Sequence, residues 1–173
     1  MHWLNPKIRG KMSHFIYQAL LILFFVFASM TALITVENQR LSVLSAIGVS
    51  SLSSSAFICF GMPQAPTAKL YKVILSYFVA IVLGIHFHEL PSLITYKPYI
   101  HPDVAMAMCC AFSVTLTMII LTTFDWGHPP AIGLSLGLVI IEWDYGIILT
   151  VIGALALLCT IRILLRSWFN RLV

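Results

Sequence analysis

Charge is what this chain has least of. Nine per cent of its residues are Asp, Glu, Lys or Arg, against 60% hydrophobic ones, and the mean hydropathy is +0.98. That balance excludes a water-soluble domain and describes an integral membrane protein. The sequence also lacks a Walker loop, a dinucleotide fingerprint and any nucleophile–base constellation, so an enzyme is not the expectation, nor is a cofactor. No linker or low-complexity tail marks a second domain, and residues 1–173 read as one membrane domain. Cys59, Cys109, Cys110 and Cys159 all fall in apolar runs, where they are packing residues rather than disulfides.

What is there is hydrocarbon in six stretches. His14–Val36, Leu70–His88, Val104–Thr123 and Tyr145–Leu165 are full-length spans. Leu41–Met62 is interrupted by Gly48 and by Ser50, Ser51, Ser53, Ser54 and Ser55, and Pro129–Ile141 is short. The first run is too long for a signal-peptide core and no small-residue cleavage site follows it, so it stays as a span. The expected fold is an all-α, polytopic membrane helical bundle. A segment at 1–13 precedes two three-span units, 14–89 and 103–166.

Charge placement supports six crossings with both termini in the cytoplasm. Lys7, Arg9, Lys11, Lys69, Lys72, Arg162, Arg166 and Arg171 then lie inside, and Arg40 and Lys97 outside. Glu37, Glu89, Asp103, Glu142 and Asp144 fall outside, leaving Asp125 on the inner face. This is the positive-inside bias of an inner (plasma) membrane, bacterial by expectation, and it accounts for the pI near 9.0 without nucleic acid.

The two weak spans are the middle members of two sets of three. A three-span unit repeated once enters the membrane from opposite sides, giving the inverted repeat of many secondary transporters. Ala46-Ile47-Gly48-Val49-Ser50 echoes Ala131-Ile132-Gly133-Leu134-Ser135 at an offset of 85. Pro129-Pro130 suits the first turn of a helix and no later position. The helix they start spans roughly 17 Å of a hydrocarbon core about 30 Å thick, so its beginning lies within the membrane. If the second span breaks at Ser50–Ser55, two helix amino ends face each other near the midplane. Their free N–H groups and partial positive charge then form a berth for a small anion. No Lys or Arg lies deep in any span.

Two blocks resemble the HPP family of integral membrane proteins. One is Ser54-Ser55-Ala56-Phe57-Ile58-Cys59-Phe60-Gly61-Met62-Pro63-Gln64-Ala65-Pro66-Thr67-Ala68; the other is Gly127-His128-Pro129-Pro130-Ala131. The chain is similar to the family from about Leu41 to Leu165. It departs at Ile132-Gly133, where members usually continue Gly-Ala, and at Lys69-Leu70-Tyr71-Lys72, where they usually have Gln-Pro-Arg-Asn. Plastid and cyanobacterial-type members are associated with nitrite transport, so the resemblance implies permeation of a small inorganic anion.

The expected substrate site comprises His128, Pro129, Pro130, Ala131 and Gly133, with Ser53, Ser54, Ser55 and Ala56 opposite. His128 either lines the path or caps the loop; Asp125 either relays a proton with it or rests at the headgroup boundary beside Trp126. The serines either donate to an anion or permit close packing, and Gly133 with Gly137 reads first as a packing face. His86, His88 and Glu89, with His101 across a loop, invite a divalent-metal reading, yet no His-Glu-x-x-His pattern is present. The reading from another class is a non-transporting membrane scaffold or regulatory subunit. Membrane lipids are the surroundings in every case, and a symmetric homo-oligomer is expected from the size.

Overall fold

The structure, a computed structural model, describes residues 12–36, 43–95, 101–140 and 145–165. Six α-helices make up nearly all of it: α1 (Met12–Val36), α2 (Val43–Ala56), α3 (Leu70–Thr95), α4 (Pro102–Thr123), α5 (Pro129–Ile140) and α6 (Tyr145–Leu164). A π-helical turn, Phe57–Gly61, continues α2, and a 3-10 turn, Pro66–Ala68, precedes α3. The fold class is the all-α bundle expected. The charged residues Lys7, Arg9, Lys11, Glu37, Arg40, Lys97, Glu142, Asp144, Arg166 and Arg171 lie outside the described residues.

The bundle is apolar on its outside. Phe24, Phe27, Phe78, Phe112, Leu149 and Ile163 are all more than half exposed, which in water would be a collapse surface and in lipid is a solvated one. Stretches of α3, α4 and α6 are each long and apolar enough to cross a bilayer: Leu70–Leu93, Pro102–Thr123 and Tyr145–Leu164. The inside is small and mixed, with Phe25, Leu52, Phe60, Tyr77, Leu134 and Leu158 fully buried or nearly so.

The short helix α5 is central, packed against α2, α3 and α4. At 12 residues it is about 18 Å long, too short to cross alone. Pro130, Ala131, Leu134, Ser135, Gly137, Leu138 and Val139 are all buried. Its closest neighbour is α3, and the reason is Gly84. A Cβ built there would stand 2.6 Å from Leu138 Cβ and 3.0 Å from the Ser135 carbonyl oxygen. Gly133 is different: it is exposed and a Cβ on it meets open space.

The second span differs from expectation in one respect. It does not break at Ser50–Ser55 but runs as unbroken α-helix from Val43 to Ala56. The serines fit the helix because their hydroxyls find acceptors. Ser53 and Ser54 donate back to the Ser50 carbonyl at 3.0 and 2.8 Å. The irregularity comes later, as the π-helical Phe57–Gly61, and the chain then leaves the helix at Pro63 and Pro66. The Arg162 guanidinium, from the last turn of α6, donates to the Cys59 and Pro63 carbonyls and so ties this end of the span to α6.

Close packing at Gly84 sets a test. Gly84→Ala should lower stability by about 1–3 kcal/mol through overpacking, read as a lower thermal midpoint in detergent. Gly133→Ala should leave the midpoint unchanged or slightly raised, since helix propensity favours Ala and nothing is displaced.

Candidate functional site

The path to the site begins where α4 stops. Asp125 has φ +55°, the left-handed conformation that ends many helices. Its N–H bonds to the Thr122 carbonyl at 3.2 Å, and that of Trp126 reaches back to Leu121 at 2.8 Å. These two bonds form a Schellman cap with aspartate in place of the usual glycine. The reversal aims the Asp125 carboxylate at the buried Lys72 ammonium, 2.7 Å away. That hydrogen bond, and then the charge behind it, hold the Asp125 carboxyl below its ordinary value of 3.8.

Three residues later the chain buries His128 completely. Its Nδ1 lies 2.9 Å from the Thr67 carbonyl oxygen. A carbonyl only accepts, so Nδ1 carries a hydrogen and donates. Nε2 lies 2.8 Å from Ser55 Oγ. Ser55 Oγ is 2.8 Å from the Tyr77 hydroxyl, and Tyr77 is 2.9 Å from Ser51 Oγ. Ser51 in turn donates to the Pro130 carbonyl at 2.7 Å. Ser51 and Ser55 are four residues apart on α2, so they share one face and hold the phenol between them. Tyr77 is seven residues past Leu70, about 10 Å along α3, so this polar chain descends from the 62–69 loop well into the bundle.

The positive-pole berth expected from the sequence is not what these residues make. With α2 continuous through Ser50–Ser55, the second amino end expected there to face that of α5 is not formed. The amino end of α5 offers little either. Pro129 and Pro130 have no N–H, and the Ala131 N–H is taken by the His128 carbonyl at 3.1 Å. The expected site residues therefore divide. Ser55 and Ala56 are buried beside α5, and Ser55 meets His128. Pro130 enters through its carbonyl and Ala131 through its packing. Ser53 and Ser54 instead line an open surface groove with Phe57, Ile58 and Met62. Pro129 and Gly133 are exposed. Asp125 and His128 are not brought together, because the carboxylate is bound by Lys72 and its side chain is 87% exposed.

The histidines of the second half of α3 and the start of α4 have separate occupations. His88 Nδ1 donates to the Val139 carbonyl at 3.1 Å, His86 meets Phe87 edge to face, and His101 caps α4 by accepting from the Asp103 N–H. Among the described residues no three potential ligands converge on a metal position.

A family model described as the HPP transmembrane region matches residues 12–171. The chain belongs to the HPP family. No curated protein and no solved structure matches it. In this HPP protein the His-Pro-Pro triplet works as a unit. The imidazole pins the loop before α3, the first proline sits at the surface, and the second gives its carbonyl to α2.

Tyr77, the Thr67 carbonyl and Lys72 are site components that the sequence reading missed. Ser51 looks like a helix interruption in the sequence and proves to be a hydrogen-bond link between Tyr77 and Pro130. The signal was present: a single phenol midway through an apolar span, and two serines at helical spacing. One turn beyond Ser51, Tyr77 and Pro130 stand Gly48, Ile81 and Leu134, which with Leu138, Ile147 and Val151 line an apolar gap with room for about one water-sized molecule. On the buried face of α4, Ser113 and Thr117 have hydroxyls without a partner.

The Lys72–Asp125 pair predicts an acid-range signature. A depressed carboxyl stabilises the fold above its unfolded value of 3.8, and that contribution is lost as pH falls through the lower folded value. Thermal midpoints of the wild type should drop in that range. Asp125→Asn should melt lower at neutral pH, with Lys72 left buried and unpaired, and should lack this acid-range component.

Proposed function

We propose that this HPP-family protein transports a small inorganic anion, nitrite or a close relative, across a bacterial inner membrane, with both termini cytoplasmic. The single observation that carries this reading is the hydroxyl–imidazole chain buried inside a bundle whose outer surface is hydrocarbon. Polar groups at that position are expensive to keep, and a purely structural core at the same place is more easily built from apolar side chains. Neutral donors suit a small oxyanion that must be released again, and the unpaired Ser113 and Thr117 hydroxyls add to them.

Two further observations support the plan of the reading. Lys72 and Arg162 both sit at the end of the bundle where Asp125 and the 62–69 loop lie, the cytoplasmic end by the positive-inside rule. The helix pairings also keep their pattern when the first three helices are exchanged with the last three. α1 on α2 corresponds to α4 on α5, α3 on α4 to α6 on α1, and α3 on α5 to α6 on α2, while α2 on α5 maps to itself. This exchange supports an inverted-repeat reading with the site where its two central helices meet. The apolar gap one turn deeper is then a closed constriction on the route. A symmetric homo-oligomer remains part of the proposal.

Purified protein in liposomes tests it, with nitrite, nitrate, chloride and formate uptake measured side by side against protein-free vesicles. Nitrite should move fastest. His128→Ala strands the Thr67 carbonyl and the Ser55 hydroxyl and should slow uptake by about tenfold to a hundredfold. A wild type that moves none of the four anions would replace transport with the scaffold reading.

A further inference from the structure

The buried chain is one hydrogen short. It has five contacts in series: Thr67 carbonyl to His128 Nδ1, Nε2 to Ser55, Ser55 to Tyr77, Tyr77 to Ser51, and Ser51 to the Pro130 carbonyl. Both ends are carbonyl oxygens, which accept and never donate. Each contact needs one hydrogen between its two atoms. A neutral imidazole supplies one, and the Ser55, Tyr77 and Ser51 hydroxyls supply one each. Four hydrogens cannot fill five contacts. With neutral His128, some pair of atoms in the series must face each other lone pair to lone pair at 2.7–2.9 Å. All the side chains involved are buried, His128 and Ser55 fully, so solvent water does not resolve the conflict.

Adding one proton resolves it without moving a heavy atom. The proton binds at Nε2, making an imidazolium that donates to Ser55. The Ser55 hydroxyl hydrogen then points at Tyr77, that of Tyr77 at Ser51, and that of Ser51 at the Pro130 carbonyl. Every contact is then a hydrogen bond, and no covalent bond has broken.

Charge is the opposing factor. An imidazolium buried without a counter-ion is disfavoured. On the elements around the chain, the π-helical turn carries Cys59 and the 62–69 loop Lys69. α3 carries Tyr71 and Lys72, with His86, His88 and Glu89 toward its other end. The turn after α4 carries Asp125, which is bound to Lys72. α6 carries Tyr145, Cys159 and Arg162, the last on backbone carbonyls; α1 carries Tyr17, and α4 carries Asp103 in its first turn with Cys109 and Cys110 beyond. α2 and α5 carry no acidic group. Glu89 and Asp103 lie at the opposite end of the bundle from His128, so among the described residues none supplies it a carboxylate. The missing negative charge is therefore brought from outside.

We propose that the His128–Ser55–Tyr77–Ser51 chain is a proton-binding site that fills together with the transported anion, so that one proton crosses with each anion. This rests on the transport reading above and makes it a coupled carrier rather than a channel. It also moves the coupling away from Asp125. The substrate class is a small monovalent oxyanion, carried as an electroneutral pair with its proton.

The hydrogen count gives a test that reads His128 directly. Removing the Tyr77 hydroxyl deletes two contacts but only one hydrogen, leaving three contacts and three hydrogens with neutral His128. Tyr77→Phe should therefore leave His128 neutral and lower nitrite and proton uptake together, and Ser51→Ala should do the same by the same arithmetic. In proteoliposomes, nitrite uptake and internal pH are followed together, with protein-free vesicles subtracting passive nitrous acid. Nitrogen-15 NMR of labelled histidine in the full chain reads the protonation of His128. The expected result is one proton per nitrite in the wild type and an imidazolium that appears with nitrite. In both Tyr77→Phe and Ser51→Ala, nitrite and proton uptake should fall together about tenfold or more, with His128 kept neutral and its hydrogen on Nδ1. Wild-type nitrite flux without proton movement overturns the proposal, as does a Tyr77→Phe protein that keeps wild-type nitrite and proton uptake. If no anion moves at all, the transport reading fails on its own. The proton site is then judged by acid titration alone, in which wild-type His128 should gain its second hydrogen at a higher pH than in Tyr77→Phe; equal midpoints sink it.

Discussion

A carbonyl oxygen buried away from water has to receive a hydrogen, and the Thr67 carbonyl receives its own from His128. Much of the local architecture follows from that one bond. It pins the loop between the second and third spans against the start of α5. It fixes the imidazole tautomer, so that Nε2 is turned toward α2 and Ser55. The ring is then clamped at both nitrogens, and α5 begins at the next residue with its register set. The Pro130 carbonyl arrives within reach of Ser51 as a consequence.

Packing then makes the clamp rigid. Gly84 lets the α3 backbone close onto Ser135 and Leu138, which brings the Tyr77 phenol on the same helix to the serines of α2. At the surface of the site Lys72 and Asp125 join the first turn of α3 to the cap of α4, while Arg162 joins α6 to the π-helical turn. Two charge-assisted links thus hold the loops over the polar chain, and both use charged groups at the bundle end rather than in its depth. The chain itself contains no fixed charge.

The bundle was legible because hydropathy measures what a membrane selects for. Long apolar runs and the placement of Lys and Arg located the six helices, and the double proline located the start of the short one. The serine run was misread for a physical reason. Ser50–Ser55 look like a helix breaker on a scale of hydrophobicity. In a low-dielectric interior, however, a hydroxyl satisfies itself on its own helix or across to a neighbour, and the helix continues. Prolines misled in the opposite direction. Read as a helix start they implied an exposed amino end, yet they also delete the N–H groups that make such an end attractive to anions. Tyr77 was visible in the sequence, but nothing along the chain places it beside residues 22 and 26 positions away; only the tertiary fold does.

These corrections alter what kind of selectivity the site can have. Two helix poles would be a permanent partial charge, attracting any anion whether or not a proton were present, and holding it at the bottom of an electrostatic well. A chain of hydroxyls ending in carbonyls has no such bias. Its preference for a negative solute exists only while it carries an extra hydrogen, and its preference for a proton exists only while a negative charge is near. Each stabilises the other by the same free energy, as linkage requires. The absence of Lys and Arg from the described depth of the bundle then has a reason. A fixed cation there would satisfy the anion without the proton, and the two would no longer need to travel together.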